Sequence, residues 1–271
     1  MKNERMIAKV FCISNQKGGV GKTTTAVNLA ASLAARCQNV LLIDLDPQGN
    51  ATMGSGVDKT TCKYTLYEVL VDGLPLDDAC VKTETVNYDV LPANRELAGA
   101  EVELVNLNQR EWRLKNALFA SKRKYDFVLI DCPPALSLLT LNGLCAAQGV
   151  IIPMQCEYFA LEGLSDLVNT IQHIHANLNR DLKVIGLLRV MFDSRVTLQQ
   201  QVSDQLKQHF GDKVFNTIIP RNIRLAEAPS HGLPGIIFDC SSRGAQAYFQ
   251  LGIEFMKYTR ALFKAGDEEK K

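Results

Sequence analysis

The chain has 271 residues, 46% of them hydrophobic, with 30 basic against 29 acidic side chains and a formal net charge of +1. That composition can fill one sizeable core, and the balanced charge excludes partner binding through overall charge: an anionic partner needs a local basic patch. No apolar run approaches the ~18 residues a membrane span needs, no charged-then-apolar leader opens the chain, and the eight cysteines, with no C-x-x-C pair, read as free thiols of a reducing cytosol.

Apolar, β-rich runs then alternate with segments of helical period. The first predicted strand, Ala8–Ser14, runs into Asn15–Thr25, NQKGGVGKTTT, and on into the helical pattern AVNLAASLAA. Strand, glycine-rich turn and helix are the context of a phosphate-binding loop. The loop from Gly18 through Gly19, Val20 and Gly21 brings its backbone close to phosphate oxygens. Its N–H groups and the positive end of the following helix favour anions. Lys22 is placed to reach the β- and γ-phosphates of ATP, the Thr23 hydroxyl to ligate magnesium, and Thr24 to hydrogen-bond the α-phosphate. A bare glycine turn is the plain alternative, and G-K-T-T in this context argues against it.

The second strand, Val40–Asp44, lies in VLLIDLDPQGN. Alternation puts Asp44 and Asp46 on one side of the chain at the strand's C-terminal end, where open α/β sheets bind ligands. Asp46 is the candidate to orient attacking water, and Asp44 to support magnesium through its water shell. The alternative is a pair of aspartates capping a Pro-Gln-Gly turn. Tyr88–Leu91 is a third strand. A fourth, Tyr125–Asp131, ends in Asp131-Cys132-Pro133-Pro134. This is the Walker B position, where Asp131 holds a water of the magnesium shell and the prolines stop the strand. Strands Gly149–Pro153, Val184–Val190 and Val214–Ile219 follow. Helical patterns cover Ala160–Leu178, with Leu164, Leu167, Val168, Ile171 and Ile174 at three- and four-residue steps, and Arg243–Phe263.

Near-continuous apolar strands imply a parallel sheet covered on both faces, and the alternation implies a doubly wound α/β fold. With no linker, repeat or low-complexity stretch, residues 1–264 read as a single P-loop ATPase domain and 265–271 as a charged flexible tail. Few residues precede the first strand, so no N-terminal DNA-reading domain is expected.

Lys17 opens the loop and gives K-G-G-x-G-K-T. Here the sequence resembles the deviant Walker A family of ParA, Soj, MinD and nitrogenase iron proteins. The likeness to the ParA/Soj branch extends through Asn15–Asn28, Leu42–Thr52, Asp131–Leu136, PMQCEYFALEGL (Pro153–Leu164) and IPRNIRLAEAPSHG (Ile219–Gly232). The resemblance implies that Lys17 reaches across a nucleotide-sandwiched homodimer to the partner's ATP and acts as a catalytic cation with Lys22 and Asp46. It places Glu157 at the dimer interface, Pro220 and Asn222 at the adenine, and Arg195 and Arg224 on nonspecific double-stranded DNA. Arg189, Arg221 and Lys213 are candidates to widen that patch. Where relatives carry Thr-Asn after the first arginine, this chain has Val196-Thr197.

A cytoplasmic protein is expected from the cysteines and apolar runs, and slow intrinsic turnover from the lack of a strong general base near the carboxylates. The resemblance implies association with the nucleoid when bound to ATP. A ParB-type centromere-binding partner would stimulate hydrolysis. Three other readings define the alternatives, one of them a metabolic P-loop ligase, for which the chain shows no added substrate-binding motif. A MinD-like membrane-associated regulator of division needs a C-terminal helix with basic and apolar faces. Ile253–Phe263 is partly amphipathic, but Asp267, Glu268 and Glu269 follow it. An iron–sulfur reductase needs cysteines at the dimer axis, for which Cys132 and Cys156 are the loose candidates.

Overall fold

A computed structural model describes residues 8–268. Its eight strands are β1 (Lys9–Ile13), β2 (Val40–Asp44), β3 (Val81–Lys82), β4 (Asp89–Leu91), β5 (Phe127–Asp131), β6 (Gly149–Met154), β7 (Lys183–Phe192) and β8 (Val214–Pro220). They form one sheet in the order β3-β4-β2-β5-β1-β6-β7-β8. Every pairing is parallel except β3 with β4.

Strand alternation divides the core in two. Val10, Cys12, Leu41, Ile43, Val128 and Ile130 face one side, with Leu164, Leu167, Ile171 and Ile174 of the helix Ala160–Asn177. Phe11, Ile13, Val40, Leu42, Phe127 and Leu129 face the other, with the helices Lys22–Ala34 and Arg243–Glu268. Period-2 strands buried on both faces leave no polar side, which is why the sequence shows continuous apolar runs.

The seven expected strands are present with slightly shifted ends. The added strand, β3, is a two-residue antiparallel edge piece too short to carry a periodic signal. The last helix is continuous to Glu268, taking in the first residues of the expected charged tail. No proline interrupts it there, although Gly266 and Asp267 are poor helix formers. Residues 269–271 lie outside the described residues. Among the described residues no helix is long and apolar enough to cross a membrane.

The other edge of the sheet, β8, is capped by a side chain. Glu254 on the last helix accepts hydrogen bonds from the backbone N–H of Asn216 (2.6 Å) and Thr217 (2.9 Å), and from the Thr217 hydroxyl (2.6 Å). An open strand edge invites pairing with another chain, and a carboxylate on its donors blocks it. Glu254→Ala should lower unfolding free energy by about 1–2 kcal/mol and increase aggregation on warming. Urea titration with light scattering checks this; unchanged behaviour would show that the cap is dispensable.

Candidate functional site

β1 has β5 on one side and β6 on the other, so the chain's crossovers diverge at its C-terminal end and open a crevice there. The loop from Ser14 to Gly21 fills that crevice before the helix Lys22–Ala34 begins. Gly19 (φ 72°) and Gly21 (φ 75°) take left-handed backbone conformations that side chains resist. Asn15 Nδ2 donates to the Pro153 carbonyl (2.8 Å), and Gln155 Nε2 to the Gly19 carbonyl (3.2 Å), tying the loop to the end of β6.

Lys22 is 7% exposed, and its Nζ donates to the Lys17 carbonyl at 3.0 Å. Burial pulls its pKa down, while Asp131, Cys132 and Asp46 act to raise it. Its neighbours are acidic. Asp44 and Asp131 stand opposite each other in the register of β2 and β5, and both are fully buried. Asp44 Oδ2 accepts from the Thr52 N–H and hydroxyl, each at 2.7 Å, and its Oδ1 accepts from the Asp46 N–H at 3.2 Å. Asp131 Oδ2 accepts from the Thr23 hydroxyl at 2.7 Å. Its Oδ1 is buried without a hydrogen-bond partner among the described residues.

Burial pushes the Asp44 carboxyl up to about 6 against the hydrogen bonds from Thr52. Burial, and then the charge of Asp44, push Asp131 well above the carboxylate range. Two adjoining buried carboxylates with one vacant oxygen, beside a hydroxyl, fit a hard divalent cation with oxygen ligands. β2 ends at Asp44, so strand alternation does not extend to Asp46. Asp46 joins the group through the following turn instead: half-buried, it accepts from the Gln48 N–H at 2.9 Å and opposes ionisation of both buried acids.

Lys17 is exposed, and its Nζ lies 2.5 Å from Glu157 Oε2 of the same chain. The two residues expected at an interface therefore pair with each other here. β8 ends at Pro220, and Asn222 Oδ1 accepts from the Leu225 N–H (3.2 Å) to cap the helix Ile223–Glu227. Arg195, 88% exposed, pairs with Asp193 at 2.7 Å and holds that carboxyl down at about 2. Arg224 pairs with Glu227 (2.9 Å) and Asp239 (3.4 Å).

The chain matches the AAA domain family over residues 8–184. It is 53% identical over 248 residues to the sporulation initiation inhibitor protein Soj of Bacillus subtilis, covering 92% of this chain and 98% of that one. It is 51% identical over 251 residues to the chromosome partitioning protein ParA of Myxococcus xanthus, covering 93% and 89%. The chain belongs to the ParA/Soj family of chromosome-partitioning ATPases. Among solved structures, cobyrinic acid a,c-diamide synthase of Mycobacterium smegmatis, with bound ATP analog and magnesium, is similar with a TM-score of 0.82 and 37% identity. The match covers 94% of this chain and 96% of that one.

Within this ParA/Soj chain the structure also corrects the expectation for Arg189. Arg189 does not widen a surface patch: it is 1% exposed and donates to the Ser203 hydroxyl (2.9 Å) and the Phe215 and Asn216 carbonyls (2.7 and 3.2 Å). Its place in β7 turns the guanidinium inward, where it braces the helix Thr197–Phe210 against β8. Cys132 and Cys156, the loose iron–sulfur candidates, are each 1% exposed and pack in the core. Sequence reading missed Thr52 and Gln155. Thr52 carries a faint signal, as a hydroxyl in a short helical stretch just past two carboxylates; Gln155 carries none.

The raised Asp44 pKa gives a signed expectation. In the unfolded chain the group ionises near 3.8, and in the fold near about 6. The folded state thus binds more protons across that window, and stability falls as pH rises through it. Urea unfolding of the nucleotide-free protein across the window should show this negative slope, and Asp44→Asn should reduce it. An equal slope in both proteins would refute the assignment.

Proposed function

We propose that this chain is an ATP-dependent dimerising ATPase that binds DNA without sequence preference in its ATP-bound dimer. It serves chromosome or plasmid segregation with a ParB-type partner. The observation that carries the nucleotide assignment is the vacant Asp131 oxygen beside the Thr23 hydroxyl, at the mouth of a loop ending in Lys22. The ATP analog and magnesium of the similar diamide synthase structure support the same reading.

Gly18 to Gly21 direct backbone N–H groups at the phosphates, and Lys22 exchanges the Lys17 carbonyl for phosphate oxygens. Thr23, Asp44 and Asp131 would hold magnesium, the threonine directly and the two carboxylates through water. Thr24 meets the α-phosphate, and Pro220 and Asn222 the adenine. Bound magnesium supplies positive charge at the phosphate oxygens. Asp46 orients the attacking water; with no strong general base beside it, intrinsic turnover is slow.

Lys17 leaves Glu157 to reach the second protomer's phosphates, so dimerisation is an exchange of ion pairs. The Lys17–Glu157 pair is half exposed and worth little in water, which makes that exchange inexpensive. Arg195 and Arg224 similarly trade their acids for DNA phosphates, and two subunits double a weak patch. Such a protein is cytoplasmic and joins the nucleoid when ATP is bound. The MinD-like reading loses support because, within Ile253–Phe263, Phe255 is buried and Met256, Tyr258 and Leu262 pack against the core, leaving less apolar surface for lipid.

DNA retention with ATP, with ADP and without nucleotide, at two salt concentrations, tests the reading. Retention only with ATP, weakened by salt, is expected; equal retention in all three states would overturn it. Lys22→Ala should abolish ATP-dependent dimerisation in sedimentation. Asp46→Ala should slow hydrolysis at least roughly a hundredfold and trap the protein on DNA. Brisk turnover would show that another group places the water. Arg195→Glu or Arg224→Glu should spare ATP binding, weaken retention and lower the salt slope by about 1.

A further inference from the structure

The phosphate loop is pinned at its start by Asn15, whose Oδ1 accepts from the Lys17 N–H (3.0 Å) and whose Nδ2 donates to the Pro153 carbonyl. It is pinned further on by Val20, whose side chain is buried. Between these points packing contributes nothing: a Cβ at Gly18 or at Gly19 would meet no atom within 4 Å. One side chain takes hold there. Gln155 Nε2 lies 3.2 Å from the Gly19 carbonyl oxygen and 3.0 Å from Met191 Sδ. Both partners are acceptors, so the amide turns its nitrogen, not its oxygen, toward them.

Met191 is itself unusual. It lies within β7 yet has a φ of 51°, a left-handed conformation that side chains other than glycine's rarely take. It stands where the register of β7 on β8 shifts, between Arg189 and Phe192. In that conformation its methyl group reaches the loop, 3.9 Å from the place a Cβ on Gly21 would occupy. Backbone strain of this kind persists where the surroundings over-determine it, and it gathers at functional sites. We propose that Gln155 and Met191 form a clamp on the loop, and that Gln155 is a positioning residue for the diphosphate of the nucleotide. The carbonyl and N–H of a trans peptide point opposite ways. Drawing the Gly19 carbonyl to Gln155 therefore turns the Val20 N–H away from Gln155, toward the hollow of the loop. Met191 takes the second amide proton and keeps Gln155 from swinging off, so the loop is already ordered when nucleotide arrives. The clamp deepens the nucleotide reading above and rests on it.

Two substitutions test it with little change of bulk. Gln155→Met keeps the length of the side chain and drops the donor, and Met191→Leu drops the sulfur acceptor. Calorimetric titration with ADP and magnesium should show Gln155→Met weakening ADP about fivefold. In steady-state hydrolysis the KM for ATP should rise with it while kcat stays within about twofold, because the loop grips the diphosphate alike in ground and transition states. Met191→Leu should cost less, and nothing further in a protein that already carries Gln155→Met, since the two act as one unit. Melting temperatures of the nucleotide-free proteins should agree within about 2 °C, which separates positioning from folding. Unchanged ADP affinity in Gln155→Met, with or without a lower melting temperature, would overturn the clamp. So would losses that simply add in the double variant, or a fall in kcat at constant KM. An unaltered protein that binds no ADP would overturn the nucleotide reading, and the clamp with it.

Discussion

Asp44 and Asp131 are placed side by side at the buried C-terminal end of two adjacent parallel strands. Two carboxylates in such a place repel each other and resist ionisation, and without a cation neither is at ease. Thr52 steadies one and Thr23 the other, yet one oxygen is left over. The surrounding features answer that tension: the glycine loop leaves room above it, Lys22 brings charge, and Asp46 waits at the rim. Whatever positive charge enters is held by groups that gain by its arrival.

The cations around the site are all provisionally engaged. Lys22 rests on a backbone carbonyl, Lys17 on Glu157, Arg195 on Asp193, and Arg224 on Glu227 and Asp239. Each proposed ligand must therefore displace an existing partner. The net strength of each contact is a difference, small for exposed pairs and larger where burial amplifies it. This suits a protein whose associations must be reversible.

Most of the architecture was legible from the chain because parallel strands buried on both faces announce themselves as unbroken apolar runs, and K-G-G-x-G-K-T-T sits where a strand meets a helix. Asp44 and Asp131 could be placed because they end such runs. What could not be read were relations across longer separations, Gln155 on the loop and Asp239 beside Arg224, while Thr52 under Asp44 left only a faint local signal. Arg189 misled because an arginine near a DNA-type string looks external, whereas strand direction and carbonyl acceptors turned it inward. The roles proposed for Glu157, Pro220 and Asn222 rest on resemblance, since nothing in their local spacing indicates a ligand.

The carboxylate cap on β8 has a consequence for how copies of this chain can gather. At one margin the sheet ends in a two-residue strand, at the other in a strand whose irregular stretch at Asn216 and Thr217 is held by Glu254. Both margins are short or irregular templates, which disfavours growth by adding strand to strand. The nucleotide-dependent assembly proposed above would then use the loop-bearing rim instead. A molecule guarded along its edges and open at its rim can join and part without its sheet being drawn into a fibre.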